Sequence, residues 1–172
     1  MSETDVIQRI ECDKEQGAAM IQEHIKELRL LMQVMVLDLL SRAAEHDRTK
    51  LEEPELSLFS AYMHRKKEHT YGSEGHNEGM RLLGPALEHH YRFNSHHPEH
   101  FRSGINAMSL MDLAEMLCDW VVSAEHHPGS NPESSLEIGI IRFGIDGQLA
   151  AILRNTIKSL QRLRLNQVQI HE

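Results

Sequence analysis

The stretch SLMDLAEMLCDWVVSAEH, residues 109–126, combines an apolar helical pattern with three acidic residues on one face. A helix that is apolar on nearly every other side is expected to be buried. Asp112, Glu115 and Asp119 recur at i, i+3 and i+7, which places them on that one face. Because an unpaired buried carboxylate is very costly, this acidic stripe must meet water, a basic side chain or a metal ion. Asp119 is the first candidate for a metal ligand.

Helical signals extend over the rest of the chain, and no segment has the pattern of a strand. Leu, Met, Ala, Glu, Lys and Arg dominate, whereas aromatic residues make up only 5%, and this composition favours helices. Ser109 is a predicted N-cap for the helix over 109–126, and Asp146 is one for the last helix. Further helices are predicted over 17–44, 54–65, 74–92, 133–142 and 146–165. The predicted fold class is all-α.

A chain of 172 residues suits one compact multi-helix domain with short tails. We expect a polar amino-terminal segment over 1–16, a helical domain over 17–165, and a carboxyl-terminal tail over 166–172. Gly84-Pro85 predicts a bend or a restart within the helix over 74–92.

The charge and the cysteines limit the classes of function. A formal net charge of −8 argues against binding duplex nucleic acid, because Lys and Arg contacts to phosphate supply most of that affinity. Cys12 and Cys118 follow no metal or redox spacing, and Cys118 is expected to be a buried thiol in a reducing cytosol. The acidic amino terminus lacks the apolar region of a signal peptide, and the apolar stretch 28–40 is too short and too interrupted to span a bilayer. We therefore expect a cytoplasmic protein that does not bind membranes.

Histidines are concentrated between residues 89 and 100. This segment holds His89, His90, His96, His97 and His100. Neutral imidazole is the commonest transition-metal ligand in proteins. Adjacent residues on a helix point about 100° apart, so one member of each pair is expected to face a site. Two or three of the five are expected to form hydrogen bonds at helix ends or to pack.

His46 and Asp47 place a neutral ligand beside an anionic one, and Lys50 follows Asp47 at i+3. The lysine suits a contact to phosphate or to the Asp47 carboxylate. The alternative is a surface ion pair worth roughly a few tenths of a kcal/mol.

The order of these residues resembles the HD-domain superfamily of metal-dependent phosphohydrolases. That superfamily has a His on an early helix, a His-Asp pair often followed by Lys, and a distal Asp. His24, the pair His46-Asp47 with Lys50, and Asp119 occupy these places.

Three motifs carry a closer resemblance to an uncharacterised family of bacterial and phage proteins. They are HDxxKL at 46–51, HHxxxNxHHPEH at 89–100 and EMxxDW at 115–120. That family has no established activity, so the resemblance to HD proteins alone implies a function.

The HD resemblance implies an HD-domain-like fold and a role for each matching residue. A first metal would be held by His24, His46, Asp47 and Asp119. One histidine of each adjacent pair, taken as His90 and His97, would hold a second metal or bind phosphate. The substrate contacts would come from Lys50, Arg48, Arg92, His89 and His96. Asp47, Lys50 and Glu115 would serve catalysis, with Glu115 or Glu53 as the proton shuttle.

The resemblance requires a helix break between His24 and His46. One unbroken helix would separate them by roughly 33 Å, at a rise of about 1.5 Å per residue. A break is expected near Asp38 or Ser41, either of which can cap a helix. Without it, His24 drops out of the site.

Three functions fit these residues. The first is a phosphohydrolase that acts on a nucleotide or another small phosphorylated metabolite through a metal-activated water, with one or two divalent ions of Mn, Co, Ni, Fe or Zn. The second is a di-iron oxygenase of HD-like fold, to which the surplus histidines at 89–100 also point. The third is a non-catalytic module that binds a nucleotide or a metal. Apolar residues on the last helix suit either the core or a homodimer.

Overall fold

The amino-terminal part of the molecule is one long helix. The computed structural model describes residues 3–66, 74–126 and 130–170, and it divides into the units Met1–Ala44 and Glu45–Glu172. Helix α1 runs from Glu3 to Glu45 without interruption. It begins well before Gly17 because the intervening residues are mostly Glu, Gln, Asp, Lys and Arg, with no Gly or Pro among them.

The second unit contains five helices within the described ranges. They are α2 (Glu55–Lys66), α3 (Glu74–Phe93), α4 (Leu110–Glu125), α5 (Pro132–Phe143) and α6 (Gly147–Ile170). Short 3₁₀ helices cover Arg48–Leu51, Pro98–His100 and Gly104–Ala107. None of the described residues lies in a strand, so the predicted all-α class is confirmed.

The hydrophobic core of the second unit lies where α4, α5 and α6 pack together. Met116 and Leu117 from α4, Leu136 from α5 and Ile157 from α6 are each almost completely buried. Ile152 on α6 is exposed, so only part of the apolar surface of this helix serves the core.

Side-chain caps fix where α4 and α6 begin. Ser109 and Asp112 form a reciprocal capping box at the start of α4. The Asp146 carboxylate accepts hydrogen bonds from the backbone N–H groups of Gln148 and Leu149 at the start of α6. Both predicted caps are confirmed, and the first sets the rotation of α4 that aims Glu115 and Asp119.

Helix α3 passes through Gly84-Pro85 without a restart, and the bend expected there as the alternative stays a prediction. Cys118 is exposed rather than buried, because it lies on a different side of α4 from the buried Met116 and Leu117. None of the described helices combines the length and hydropathy needed to cross a membrane.

Candidate metal centre

Asp47 lies at the centre of the candidate site in an unusual backbone conformation. Its φ of 55° and ψ of 16° place it in the left-handed region, which non-glycine residues adopt rarely and Asp tolerates better than most. The residue precedes the 3₁₀ helix Arg48–Leu51. Such backbone strain persists where the surrounding structure enforces it, and it is concentrated at functional sites.

Four side chains of the second unit form a group of potential ligands around Asp47. The ligand atoms of Asp47, His90, His96 and His97 all lie within 4.8 Å of one another. His90 Nε2 is 2.9 Å from His97 Nε2 and 3.2 Å from Asp47 Oδ1. His96 Nε2 is 3.5 Å from the same carboxylate oxygen.

These separations fit a single coordinated ion. Ligand atoms each about 2.1 Å from one metal lie about 3.0 Å apart at right angles and about 3.4 Å apart in a tetrahedron. The observed distances of 2.9, 3.2 and 3.5 Å fall close to that range. The four residues can therefore hold a metal ion.

Two atoms of this group are buried without a hydrogen-bond partner. Within the described part of the chain, Asp47 Oδ1 and His96 Nε2 have none. Leaving a buried polar atom unsatisfied typically costs about 1–3 kcal/mol. The two atoms lie 3.5 Å apart, and a cation bound to both would remove this cost.

Glu55 fixes the orientation and tautomer of His90. Its side chain is completely buried. Oε2 accepts a hydrogen bond from His90 Nδ1 at 2.9 Å, and Oε1 accepts one from His89 Nδ1 at 2.7 Å. Because a carboxylate only accepts, Nδ1 of His90 carries a hydrogen, and loss of any proton from Nε2 would leave its lone pair to a cation beside Asp47. Carboxylates hold metal-ligating histidines in this way.

Glu115 plays the same part for two other histidines. Its Oε1 lies 2.8 Å from His46 Nδ1 and 3.2 Å from His96 Nδ1. Protons on these Nδ1 atoms leave Nε2 of both rings able to bind a cation. The stripe on α4 therefore contributes a carboxylate that orients ligands.

A second group of potential ligands shares Asp47 with the first. It consists of His46, Asp47 and Asp119. His46 Nε2 lies 3.6 Å from Asp47 Oδ2 and 3.8 Å from Asp119 Oδ1. Lys50 Nζ contacts the same Asp47 oxygen at 2.5 Å. The two oxygens of one carboxylate thus face the two groups.

The ionisation of these residues reflects a concentration of negative charge. Asp119 and Glu115 raise the pKa of His46 to about 10. Burial would raise the pKa of Asp47, but contacts with His90 and Lys50 outweigh it and hold this pKa well below its usual value. Burial, with His96 and His90 nearby, lowers the pKa of His97 to about 3, so His97 is a neutral imidazole. Neutral imidazole and ionised carboxylate are the forms that bind metals, so a cation bound by His46 would have to displace its proton.

The structure brings most of the predicted ligands together. His46, Asp47 and Asp119 meet in one group, and His90 and His97 meet in the other. His96, predicted to contact substrate, is also among the potential ligands, so both members of the second histidine pair face the site.

His24 does not join them. The predicted break near Asp38 or Ser41 is wrong, because α1 is continuous to Glu45. A rise of about 1.5 Å per residue places His24 about 32 Å from Glu45 along its own helix. Helix-forming side chains surround both candidate break points, and Asp38 pairs with Arg42 at i+4 instead of capping.

Several predicted substrate contacts are engaged elsewhere. Arg48 is exposed and forms ion pairs with Glu45 and Glu52. The Arg92 guanidinium lies over the ring of Phe93. His89 donates to Glu55. Lys50, in contrast, lies beside the site, because its Nζ contacts Oδ2 of Asp47.

Asp112 and His100 form hydrogen bonds that stabilise the local fold. Asp112 is buried and accepts hydrogen bonds from Ser109 and Ser95, so it caps α4 rather than facing the ligands. His100 Nδ1 bonds the backbone oxygen of Tyr91. The expectation that some histidines between 89 and 100 would be helix-end hydrogen bonders is met by His89 and His100.

Glu55 was missed by the sequence interpretation, although its position carries a signal. It precedes Phe59 by four residues and Tyr62 by seven, so it lies on the more apolar face of α2. An acidic residue on such a face needs a buried partner.

Comparison with known proteins places the chain in one family. The model of a family of unknown function (DUF5662) matches residues 13–159, and the chain belongs to that family. No HD-domain family model is matched. No curated protein matches, and no solved structure matches. The expectation that the chain belongs to a family with no established activity is confirmed. The groups that could hold a metal ion lie within the matched residues 13–159.

Proposed function

We propose that this protein is a metal-dependent phosphohydrolase that acts on a small phosphorylated metabolite. The observation that carries the proposal is the pair of buried atoms without hydrogen-bond partners among the described residues, Asp47 Oδ1 and His96 Nε2. With His90 and His97 they supply one carboxylate and three imidazoles, a donor set suited to Zn, Fe, Mn, Co or Ni. When bound, such an ion lowers the pKa of a water molecule and offsets charge on phosphoryl oxygens.

The chain's own residues divide into ligands, orienting groups and a phosphate contact. Asp47, His90, His96 and His97 hold the ion. Glu55 and Glu115 orient the imidazoles. Glu115 is therefore a positioning residue, in addition to its predicted catalytic role as a candidate proton shuttle. Lys50 is the phosphate contact, because its part-exposed ammonium group lies beside Asp47.

A pocket beside His97 favours a nucleotide among small phosphorylated metabolites. It has a volume of about 200 Å³ and is lined by His97, by the aromatic rings of Tyr91, Trp120 and Phe143, and by Arg142. Aromatic walls stack on flat rings, whereas the Arg142 guanidinium is already paired with Glu99, which also lines the pocket. The volume is below that of a site for a drug-sized ligand, typically about 300–1,000 Å³, so it suits one ring system.

A di-iron oxygenase is the second candidate. It is favoured by Asp47, whose two oxygens face two different ligand groups. In helical di-iron proteins, carboxylates and histidines from facing helices supply the ligands of two ions, and Asp47 with the histidines of both groups would supply ligands of this type here. A non-catalytic module that sequesters a nucleotide would use the same pocket and one ion.

Elemental analysis of protein purified without a histidine tag tests these functions, followed by a phosphate-release assay with nucleoside monophosphates and sugar phosphates. Bound Mn, Co, Ni or Zn with phosphate release supports the phosphohydrolase. Two irons per chain with oxygen-dependent absorbance replaces it with the oxygenase, and a nucleotide that binds and is recovered unchanged replaces it with the module.

The variant Asp47→Asn is expected to lose both the metal and turnover. Asp146→Asn is the matched control, because Asp146 is exposed and Asn caps a helix about as well as Asp. An Asp47→Asn protein that retains wild-type metal content and phosphate release would refute the proposal.

A further inference from the structure

Helix α1 has many apolar side chains that are not buried within the unit Met1–Ala44. All the residues of the unit Met1–Ala44 that the structure describes belong to this helix, and none of their described side chains is buried. Between Met20 and Leu40, thirteen large apolar side chains are between 36% and 75% exposed. Only Arg29 and Asp38 carry charge within 28–40. A soluble protein rarely leaves a contiguous apolar surface of this kind without a partner.

The apolar residues follow a heptad repeat. One stripe alternates steps of three and four residues over three heptads, and it consists of Ala18, Ile21, Ile25, Leu28, Met32, Met35 and Leu39. An apolar spacing with a mean of 3.5 residues is the pattern by which helices pair in left-handed coiled coils. The pattern therefore indicates another helix as the partner.

We propose that α1 is a self-association helix, and that its heptad stripe packs on the same stripe of a second copy of this chain. In a two-fold symmetric dimer the same surface patch of each subunit contacts its copy. A second copy of this chain therefore supplies a helix with the same heptad spacing. The inference does not depend on the proposed function, since the stripe contains no residue of the metal centre.

The stripe accounts for part of the exposed apolar surface of this segment. Six of the thirteen large apolar side chains belong to it, and the other seven, which include Leu30, Val34 and Leu37, lie outside it. Association through the stripe would remove the exposed surface of these six side chains from water on each chain. Most helical stability in proteins comes from packing of an apolar face, so pairing would also stabilise the helix through this segment.

Sedimentation velocity of the full chain over a roughly hundredfold range of concentration tests the inference. The wild type is expected to sediment as a dimer or larger homo-oligomer. Leu28→Glu and Met35→Glu place a charge in the stripe and are each expected to weaken association at least about tenfold. Ile141→Glu is the matched control, because Ile141 is 84% exposed and lies on α5, and it is expected to associate as the wild type does.

Metal content of the same variants separates lost association from lost folding. The metal ligands lie in the unit Glu45–Glu172, so the stripe variants are expected to keep wild-type metal content while becoming monomers. A wild type that is monomeric at every concentration overturns the inference. So do stripe variants that associate as strongly as the wild type.

Discussion

Glu55 controls the tautomer of His90 without lying among the ligand atoms. Both of its oxygens accept hydrogen bonds from imidazole Nδ1 atoms, one from His89 and one from His90. The Glu55 carboxylate is completely buried and has two N–H donors. Burial of a carboxylate is very costly unless such donors form hydrogen bonds with it. Loss of the carboxylate would therefore affect the ion through His90.

Glu55→Gln is expected to lower metal affinity about 10–100-fold, the usual effect of removing such an orienting group. The amide replaces one of the two acceptor oxygens with an NH₂ donor, so one of the two Nδ1–H groups loses the oxygen that it bonds in the wild type. Competition against a chromophoric chelator measures the affinity. Glu53→Gln is the control, because Glu53 is exposed in the same turn, and equal affinities for the two variants would contradict the role given to Glu55.

His97 gives the metal-free protein a stability that depends on pH. Its pKa is about 3 in the folded chain, mainly through burial, and about 6.5 in an unfolded one. Between these values the unfolded chain binds one more proton, so the free energy of unfolding falls as the pH drops below about 6.5, by at most about 1.4 kcal/mol per pH unit. Urea unfolding of the chelator-treated protein between about pH 7 and about pH 4 measures the slope.

His97→Gln is expected to remove this contribution and flatten the slope over that range. His126→Gln is the comparison, because His126 is exposed after α4, and it is expected to keep the wild-type slope. Parallel slopes for both variants would show that His97 is protonated while folded.

At the scale of elements, the approach of α4 to α5 depends on one glycine. A Cβ atom at Gly139 would lie 2.3 Å from Trp120 Cη2, far inside contact distance. The indole therefore rests on bare backbone of α5. Trp120 follows Asp119 directly, so this contact helps to hold the end of the acidic stripe beside His46.

Gly139→Ala is expected to destabilise the protein by about 1–3 kcal/mol, the usual cost of overpacking, and to shift the fluorescence of Trp120, the single tryptophan. Gly84→Ala is the matched control in α3. Its Cβ would meet nothing within 4 Å, and Ala gains about 0.5–1 kcal/mol over Gly inside a helix. Equal unfolding free energies for the two variants would rule out the steric role of Gly139.

At the scale of the whole molecule, the candidate ligands come from distant parts of the second unit. Asp47 precedes a 3₁₀ helix, His90 lies near the end of α3, His96 and His97 follow that helix, and Asp119 lies on α4. A bound ion would cross-link these segments. Because an ion binds the folded site and not the unfolded chain, its binding adds to stability.

Metal at about 100 times its dissociation constant is expected to add about 2.7 kcal/mol, which raises Tm by roughly 5–11 °C for a chain of this length. Differential scanning fluorimetry with added metal or EDTA measures the shift. Asp47→Asn should show no shift, and a wild-type Tm that is the same with metal and with EDTA would argue against the centre.

The helical class, the two predicted caps and most ligand candidates were predictable from the sequence because they are local properties. Spacing at threes and fours gives a helix, and Ser109 and Asp146 cap because a short polar side chain can reach nearby N–H groups. His46-Asp47 and the histidines at 89–100 are recognisable as ligand types in any fold.

Only the tertiary structure decided which of these residues meet. It joined His90, His96 and His97 to Asp47, excluded His24 through the continuity of α1, and assigned Glu55 and Glu115 to the imidazoles. Each of these outcomes depends on contacts between residues far apart in the chain, which helix packing sets and local spacing does not encode. The sequence by itself determined the helices and the supply of ligands, whereas packing determined the coordination geometry.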